Sequence, residues 1–311
     1  MQAAQWRDHL PAWAGQASDM HPQAQEIAAL YRLPVDAGLW RLGYRDLVHW
    51  RIACWGFWPR QQARGTLWLW HGLFDHIGLY QHLIRRALQC GYAVLGIDLP
   101  GHGLSSGEQA HIDDFASYQG LLQQLLAGHA GSEARPWKAL GQSTGGGILI
   151  EHLLRHAQTP LSAVMLLAPL VRPAAFRQVQ ALYALLGPCR ESWPRNFRAN
   201  SSDEDFLRFI RQQDPLQAHR LNMAWVGAML HWERGLRRWP ASAHRLRVLQ
   251  GERDETVDWV YNLAWLQAHF RQAQVQRLPG ASHQLANEGL PWRRQVEQAV
   301  AEFLECGRPT P

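Results

Sequence analysis

The sequence predicts an α/β domain built on a mostly parallel central sheet flanked by helices, with one helical segment inserted. Three observations carry that reading. Apolar runs bounded by turn residues alternate with helix-like stretches over residues 66–167 and again over 246–304, which is the pattern of βαβ units. Between residues 173 and 240 the alternation stops and only helical periodicity is left. Between an apolar run and a helix-like one stands Gly141-Gln142-Ser143-Thr144-Gly145, a Gly-x-Ser-x-Gly segment.

Composition sets the bounds. A chain of 311 residues, 47% of them hydrophobic, can bury a large core. The expected division is an N-terminal arm over 1–40, a core over 41–172 and 241–311, and a helical cap over 173–240. Cys54, Cys90, Cys189 and Cys306 are far apart and form no C-x-x-C pair, so free thiols in a reducing compartment are expected. The segment from Met1 to Leu10 lacks a basic region followed by an apolar one, and no run approaches the ~18 apolar residues of a membrane span. The expected location is cytoplasmic. The formal charge of +5 is concentrated: residues 172–238 hold 11 arginines against 6 acids, leaving 20 of each sign elsewhere. Because these arginines interleave with large apolar residues, the cap reads as a surface for peripheral contact with anionic lipid and not as a nucleic-acid face.

In chain order, residues 1–40 carry scattered helix formers and the break Leu33-Pro34. From Leu39 to Pro59 β-branched and aromatic residues alternate, predicting one or two antiparallel strands. Thr66 to Trp70 is nearly all apolar, as in a strand covered on both faces, and runs into His71-Gly72-Leu73. A helix over Tyr80–Leu88, a strand over Tyr92–Ile97, a loop over Asp98–Gly107 and a helix from about Asp113 to Ala127 follow. A strand then enters Gly141, a helix over Gly147–His156 leaves it, and Leu161–Leu167 is a further strand. Within the insertion Phe176, Val179, Tyr183 and Leu186 share one helical face, Phe206, Phe209 and Ile210 a second, and Trp225, Met229 and Trp232 a third. Ser201 and Glu204 have the spacing of a capping box. Strand Leu246–Gln250, helix Val257–Phe270, strand Val275–Leu278 and helix Trp292–Leu304 close the chain.

The chemistry lies at the strand ends. A Gly-x-Ser-x-Gly turn between strand and helix is a nucleophile elbow: glycines either side let the two elements pass closely, and the apical serine sits in a strained conformation before a helix N-terminus. Ser143 is the candidate nucleophile. A serine hydroxyl needs a base, and the base a carboxylate to hold its tautomer. His283 follows the last strand, behind Pro279-Gly280, and Asp254 follows the strand ending at Gln250, with Asp258 as its rival one helical turn on. The order Ser143, Asp254, His283 is that of α/β-hydrolases. Two other patterns are set aside. Gly101-x-Gly103 lacks its third glycine and follows Pro100, so no dinucleotide is expected. His152 and His156 sit near a helix C-terminus, where basic residues are common, so neither a metal nor any other cofactor is expected.

From Val48 to Leu304 the sequence resembles the monoacylglycerol lipase and lysophospholipase family of α/β-hydrolase fold serine hydrolases. The resemblance rests on His71-Gly72-Leu73-Phe74-Asp75-His76, on Asp98-Leu99-Pro100-Gly101-His102-Gly103-Leu104-Ser105, on the elbow, and on the Asp254 and His283 segments. It implies that the N–H groups of Leu73 and Thr144 form an oxyanion hole and that residues 173–240 form a lid over an acyl pocket. Phe74, Phe176, Tyr183, Phe206, Trp225 and Met229 are the candidate substrate-binding residues. The chain departs from the family at Phe74 and Asp75, where glycine and glutamate are usual, and at Gln142 and Thr144, where the elbow often reads Gly-His-Ser-Met-Gly. The expectation is a cofactor-free serine ester hydrolase working through an acyl-enzyme on monoacyl lipid esters. Its rivals are a carboxylesterase for small soluble esters, an acyltransferase using the same triad, and a silent binding protein of the same fold.

Overall fold

The structure, a computed structural model, describes residues 2–13, 22–129, 131 and 133–305. Helices α1 (Gln2–Asp8) and α2 (Ala24–Leu30) open the chain, and their apolar residues Trp6 and Ile27 are fully buried. Strands β1 (Gly38–Leu47) and β2 (Trp50–Pro59) form a hairpin. Residues 11–13 run along its outer strand, with Trp13 N–H donating to Tyr44 O and Tyr44 N–H to Pro11 O. The next four strands are β3 (Gly65–Trp70), β4 (Tyr92–Ile97), β5 (Trp137–Gln142) and β6 (Leu161–Leu167), with helices α3 (Gln81–Gln89), α4 (Ala116–Gly128) and α5 (Thr144–Arg155) between them.

The insertion contains α6 (Phe176–Leu186), α7 (Glu204–Gln212) and α8 (Met223–Leu236), and also a small antiparallel ribbon of β7 (Ser192–Pro194) and β8 (Arg220–Asn222). This corrects the expectation of helices alone: strands of three residues are too short to show a period of two. The capping box is corrected too. Asp203 is the N-cap of α7, accepting from Phe206 N–H, while Ser201 Oγ donates to Asn287 O. The chain closes with β9 (Leu246–Gly251), α9 (Trp259–His269), β10 (Gln274–Leu278) and α10 (Leu290–Phe303).

Eight strands make one sheet in the order β1-β2-β4-β3-β5-β6-β9-β10, in which only β2 runs against its neighbours. Past Thr66, strand β3 is apolar because each face is covered: Leu67 and Leu69 enter one buried cluster, Trp68 and Trp70 the other. The Trp68 cluster takes in α4, α5 and the cap residues Phe176, Trp225, Met229 and Trp232. The opposite cluster takes in α3, α10, the arm residues Trp6, Ile27 and Tyr31, and Ile210 of α7. Strand β10 ends the sheet with mostly exposed polar side chains, and its Arg277 pairs with Glu252. Lys138, the lone lysine, is buried and donates to Phe303 O. Cys54, Cys90 and Cys189 are free thiols, and Cys306 lies outside the described residues. Among the described residues no helix is long and apolar enough to cross a membrane.

Helix α5 crosses the end of β3 at backbone distance. A Cβ on Gly145 would collide with the carbonyl oxygen of Trp70, and one on Gly141 would meet the Gly145 carbonyl. Gly145→Ala is expected to lower stability by about 3–5 kcal/mol, since neither backbone can retreat within a close-packed core. Urea titration of the two proteins by tryptophan fluorescence checks this.

Candidate active site

The two glycines force the turn between β5 and α5 into a conformation few residues adopt. Ser143 sits at φ 51° and ψ −114°, in left-handed space where an L side chain is strained. Its backbone is over-determined: Ser143 N–H donates to Leu167 O at 2.9 Å, and Ser143 O accepts from Gly147 and Leu170. The residue is 8% exposed, at the carboxyl end of the parallel strands.

Asp254 and His283 meet beyond the carboxyl ends of β9 and β10. His283 Nδ1 lies 2.7 Å from Asp254 Oδ2, and both residues are buried. Burial alone would push the His283 pKa down, but the charge and hydrogen bond of Asp254 outweigh it and hold the imidazole above its ordinary value. Asp254 is correspondingly below the usual carboxylate range, because burial is outweighed by His283 and by the N–H groups of Thr256 and Val257. Gln250 Nε2 also donates to Asp254, at 3.0 Å. The rival carboxylate is occupied elsewhere, since Asp258 is the N-cap of α9 and accepts from Tyr261 N–H. Among the described residues no hydrogen bond joins Ser143 Oγ to His283; such contacts are commonly long before substrate arrives.

The loop after β3 supplies the other side. Leu99 N–H donates to His71 Nε2 at 2.8 Å, so the proton of this buried imidazole is on Nδ1, which donates to Gly72 O at 2.8 Å. Burial holds the His71 pKa well below its ordinary value, so the ring stays neutral. In a trans peptide the carbonyl and the following N–H point oppositely. With Gly72 O turned to His71, the Leu73 N–H faces the other way and has no partner among the described residues. Gly72 packs on Ser143. Thr144 is the first residue of α5, where an N–H has no intrahelical acceptor. Phe74 follows at φ 68°, with the Arg195 guanidinium 4.2 Å above its ring.

Sequence reasoning missed the polar framework beneath. Gln142 Nε2 donates to Gln284 Oε1, and Gln142 Oε1 accepts from Ala286 N–H. Gln284 Nε2 donates to Asp75 Oδ1 at 2.8 Å, and Tyr80 hydroxyl donates to Asp75 Oδ2 at 2.9 Å. The residue before the serine is thereby tied to the residue after the histidine; two glutamines flanking the two motifs were the only signal in the sequence. A second group binds arm, core and cap: Asp214 accepts from Tyr31 hydroxyl at 2.7 Å, from His76 Nε2 at 3.0 Å and from Gln217. Burial would lower the His76 pKa, but Asp214, together with the charges of Asp98 and Asp75, outweighs it and holds the imidazole above its ordinary value, while Asp214 stands below its own.

The candidate substrate-binding residues do not form one group. Phe176, Tyr183, Trp225 and Met229 share the Trp68 cluster, with Trp225 packed against Phe115. Phe206 belongs to the opposite cluster, around Tyr31 and Ile210, because α7 sits over the other face of the sheet. A cavity of about 380 Å³ opens beside His283. Asn196, Arg198, Ala199, Asn200, Arg253, Glu255, Thr256 and Ser282 complete it, so its wall combines polar heads with the aliphatic stems that carry them. Among the described residues no cluster suited to a metal is present, and His152 instead hydrogen-bonds Thr159.

Residues 61–289 match the family described as serine aminopeptidase, S33. A monoacylglycerol lipase of Mycolicibacterium smegmatis is 32% identical over 114 residues, which span 36% of this chain and 40% of that protein. A monoglyceride lipase homolog of Monkeypox virus is 26% identical over 79% of this chain and 91% of its own length. A solved structure, a soluble variant of the monoglyceride lipase of Saccharomyces cerevisiae with a substrate analog, superposes with a TM-score of 0.76 at 17% identity, covering 89% of this chain and 99% of that one. The fold is that of the α/β-hydrolases.

Below about pH 6.5, where His76 is protonated, removing Asp214 strands a buried imidazolium. Asp214→Asn is expected to cost about 3–5 kcal/mol. His76, raised, contributes stability that is full below about pH 6.5 and lost as pH climbs through its folded pKa; Asp214, lowered, contributes above about pH 4 and loses it as pH falls. Urea titrations of both proteins across pH are therefore expected to differ most between those values and to converge on either side.

Proposed function

Because the chain belongs to the serine aminopeptidase, S33 family, we propose that it is a serine hydrolase of monoacyl lipid esters, monoacylglycerols or lysophospholipids, working through an acyl-enzyme. The observation that carries the reading is the strained Ser143 at a helix N-terminus, with the Asp254–His283 pair tied to it through Gln142 and Gln284. Ser143 Oγ attacks the ester carbonyl carbon while His283 Nε2 takes its proton. The Leu73 and Thr144 N–H groups hold the developing oxyanion. As the tetrahedral species collapses, His283 returns the proton to the leaving alcohol and the acyl group stays on Ser143. Water, deprotonated by the same imidazole, then releases the acid. Asp254 keeps the His283 tautomer throughout.

An ester is favoured over a peptide N-terminus by charge: the cavity beside His283 presents two guanidinium groups and one carboxylate, a poor host for an α-ammonium group. The acyl chain is assigned to the apolar cap residues Phe176, Tyr183, Trp225 and Met229, which share one cluster with Leu73 of the loop after β3. Each methylene buried there is worth about 0.8 kcal/mol, which supports longer chains over acetate. The name monoglyceride lipase, carried by several relatives, supports the same class. Leu182 and Leu185 of α6, 52% and 73% exposed, together with the arginines of the cap suit peripheral contact with an anionic lipid surface.

Ser143→Ala is expected to abolish p-nitrophenyl ester turnover and fluorophosphonate labelling while leaving the thermal melt in place; labelling retained at another serine would overturn the assignment. Asp254→Asn is expected to lower kcat by about 10³ to 10⁴, whereas Asp258→Asn changes it little. Since the base must be neutral and the His283 pKa is raised, the acid limb of the pH–rate profile is expected above about 6.5. Loss of the Asp254 charge is expected to move that limb down, which residual-activity profiles of Asp254→Asn can read.

A further inference from the structure

We infer that the polar cavity beside His283 is a subsite for a phosphate carried by the alcohol half of the ester, with Arg198 and Arg253 as its specificity-determining residues. The inference rests on the hydrolase reading above and narrows its substrate to phosphate-bearing monoacyl esters over neutral ones. The leaving alcohol must lie on the side of the imidazole, because His283 delivers its proton. The cavity of about 380 Å³ has His283 in its wall, so its occupant is the alcohol and not the acyl chain. What sets its chemistry is charge: two guanidinium groups, Arg198 and Arg253, stand in the wall against one carboxylate, Glu255.

Two arginines from different parts of the fold line it. Arg198 comes from the insertion, Arg253 from the loop that carries Asp254. Arg198 Nη1 reaches only the Glu255 carbonyl oxygen, at 3.4 Å, and the Arg253 guanidinium has no partner among the described residues. Glu255, the lone carboxylate of the wall, offsets at most one of these charges. Guanidinium forks match phosphate oxygens in pairs, so an anion between the two arginines would gain charge-assisted hydrogen bonds that a neutral glycerol cannot. Asn200, also in the wall, is held in place by Gln284 N–H donating to its backbone oxygen at 2.8 Å.

The test compares 1-octanoylglycerol with 1-octanoylglycerol 3-phosphate, both below micelle formation, so that no lipid surface enters. In the unaltered protein kcat/KM is expected to favour the phosphate-bearing ester about tenfold or more, and Arg198→Gln or Arg253→Gln to reduce that ratio about tenfold each. Arg253→Lys, which keeps the charge but loses the fork, is expected to fall between. A ratio near unity in the unaltered protein, or one that neither substitution moves, overturns the subsite. Competition against a p-nitrophenyl ester separates the two sources of a phosphate: glycerol 3-phosphate inhibiting at lower concentration than inorganic phosphate supports the subsite. Equal or stronger inhibition by inorganic phosphate marks a free-anion site and overturns it. Failure to cleave either lipid or the p-nitrophenyl ester overturns the hydrolase reading itself, a result distinct from turnover without discrimination.

Discussion

The constraint on which the rest depends is the backbone contact between Gly145 at the start of α5 and the carbonyl of Trp70 at the end of β3. No side chain can stand between them, so the helix lies directly on the strand end and the chain must reverse within one residue. Ser143 takes up that reversal at positive φ. The strain is held by three backbone hydrogen bonds to neighbouring segments, and strain persists only where its surroundings over-determine it. The same crossing sets the N-terminus of α5 beside Gly72, so a single steric fact fixes the height of the hydroxyl, the free helical N–H groups and the approach of the facing loop.

Beneath the serine the fold relies on polar contacts that would be costly to leave unmade. Asp75, Gln284, Gln142 and Tyr80 are buried, and each is satisfied by another of the group. The spacing of Ser143 and His283 is thereby set by their neighbours and does not depend on a bond between the two. Asp214 extends the principle to the insertion. Its carboxylate joins Tyr31 from the arm and His76 from the core, so three segments distant in sequence share one buried charge. Because α6 and α8 enter one apolar cluster and α7 the other, the insertion straddles the sheet instead of resting on one face.

The legible parts of the sequence were those where one local rule decides. Alternation and apolar runs located the parallel strands of the sheet but left the hairpin of β1 and β2 as one strand or two, and glycine spacing located the elbow. The pair Asp254 and His283 was visible because each follows a strand directly, and the structure sets Asp258 apart from them as a helix cap. Contacts made across the sheet left no comparable trace. Nothing near Arg195 announces that it covers Phe74, since that contact is made only when the insertion folds back over the loop after β3. Phe206 has the same apolar character as Phe176, but which face of the sheet receives it depends on the path of the chain between α6 and α7. The three-residue strands β7 and β8 are defined by each other and not by their own residues.

An open sheet of eight strands has two borders at which another strand could join, and such borders invite chain-to-chain pairing. Here the chain closes one itself: residues 11–13 bond to the outer side of β1, at Tyr44. At the other, β10 offers exposed Gln274, Gln276 and Arg277, the last paired to Glu252. Polar and charged side chains of this kind discourage addition of a further strand. Each border is thus blunted by a different device, one by backbone pairing at Tyr44 and the other by charge, so that both oppose addition of a further strand.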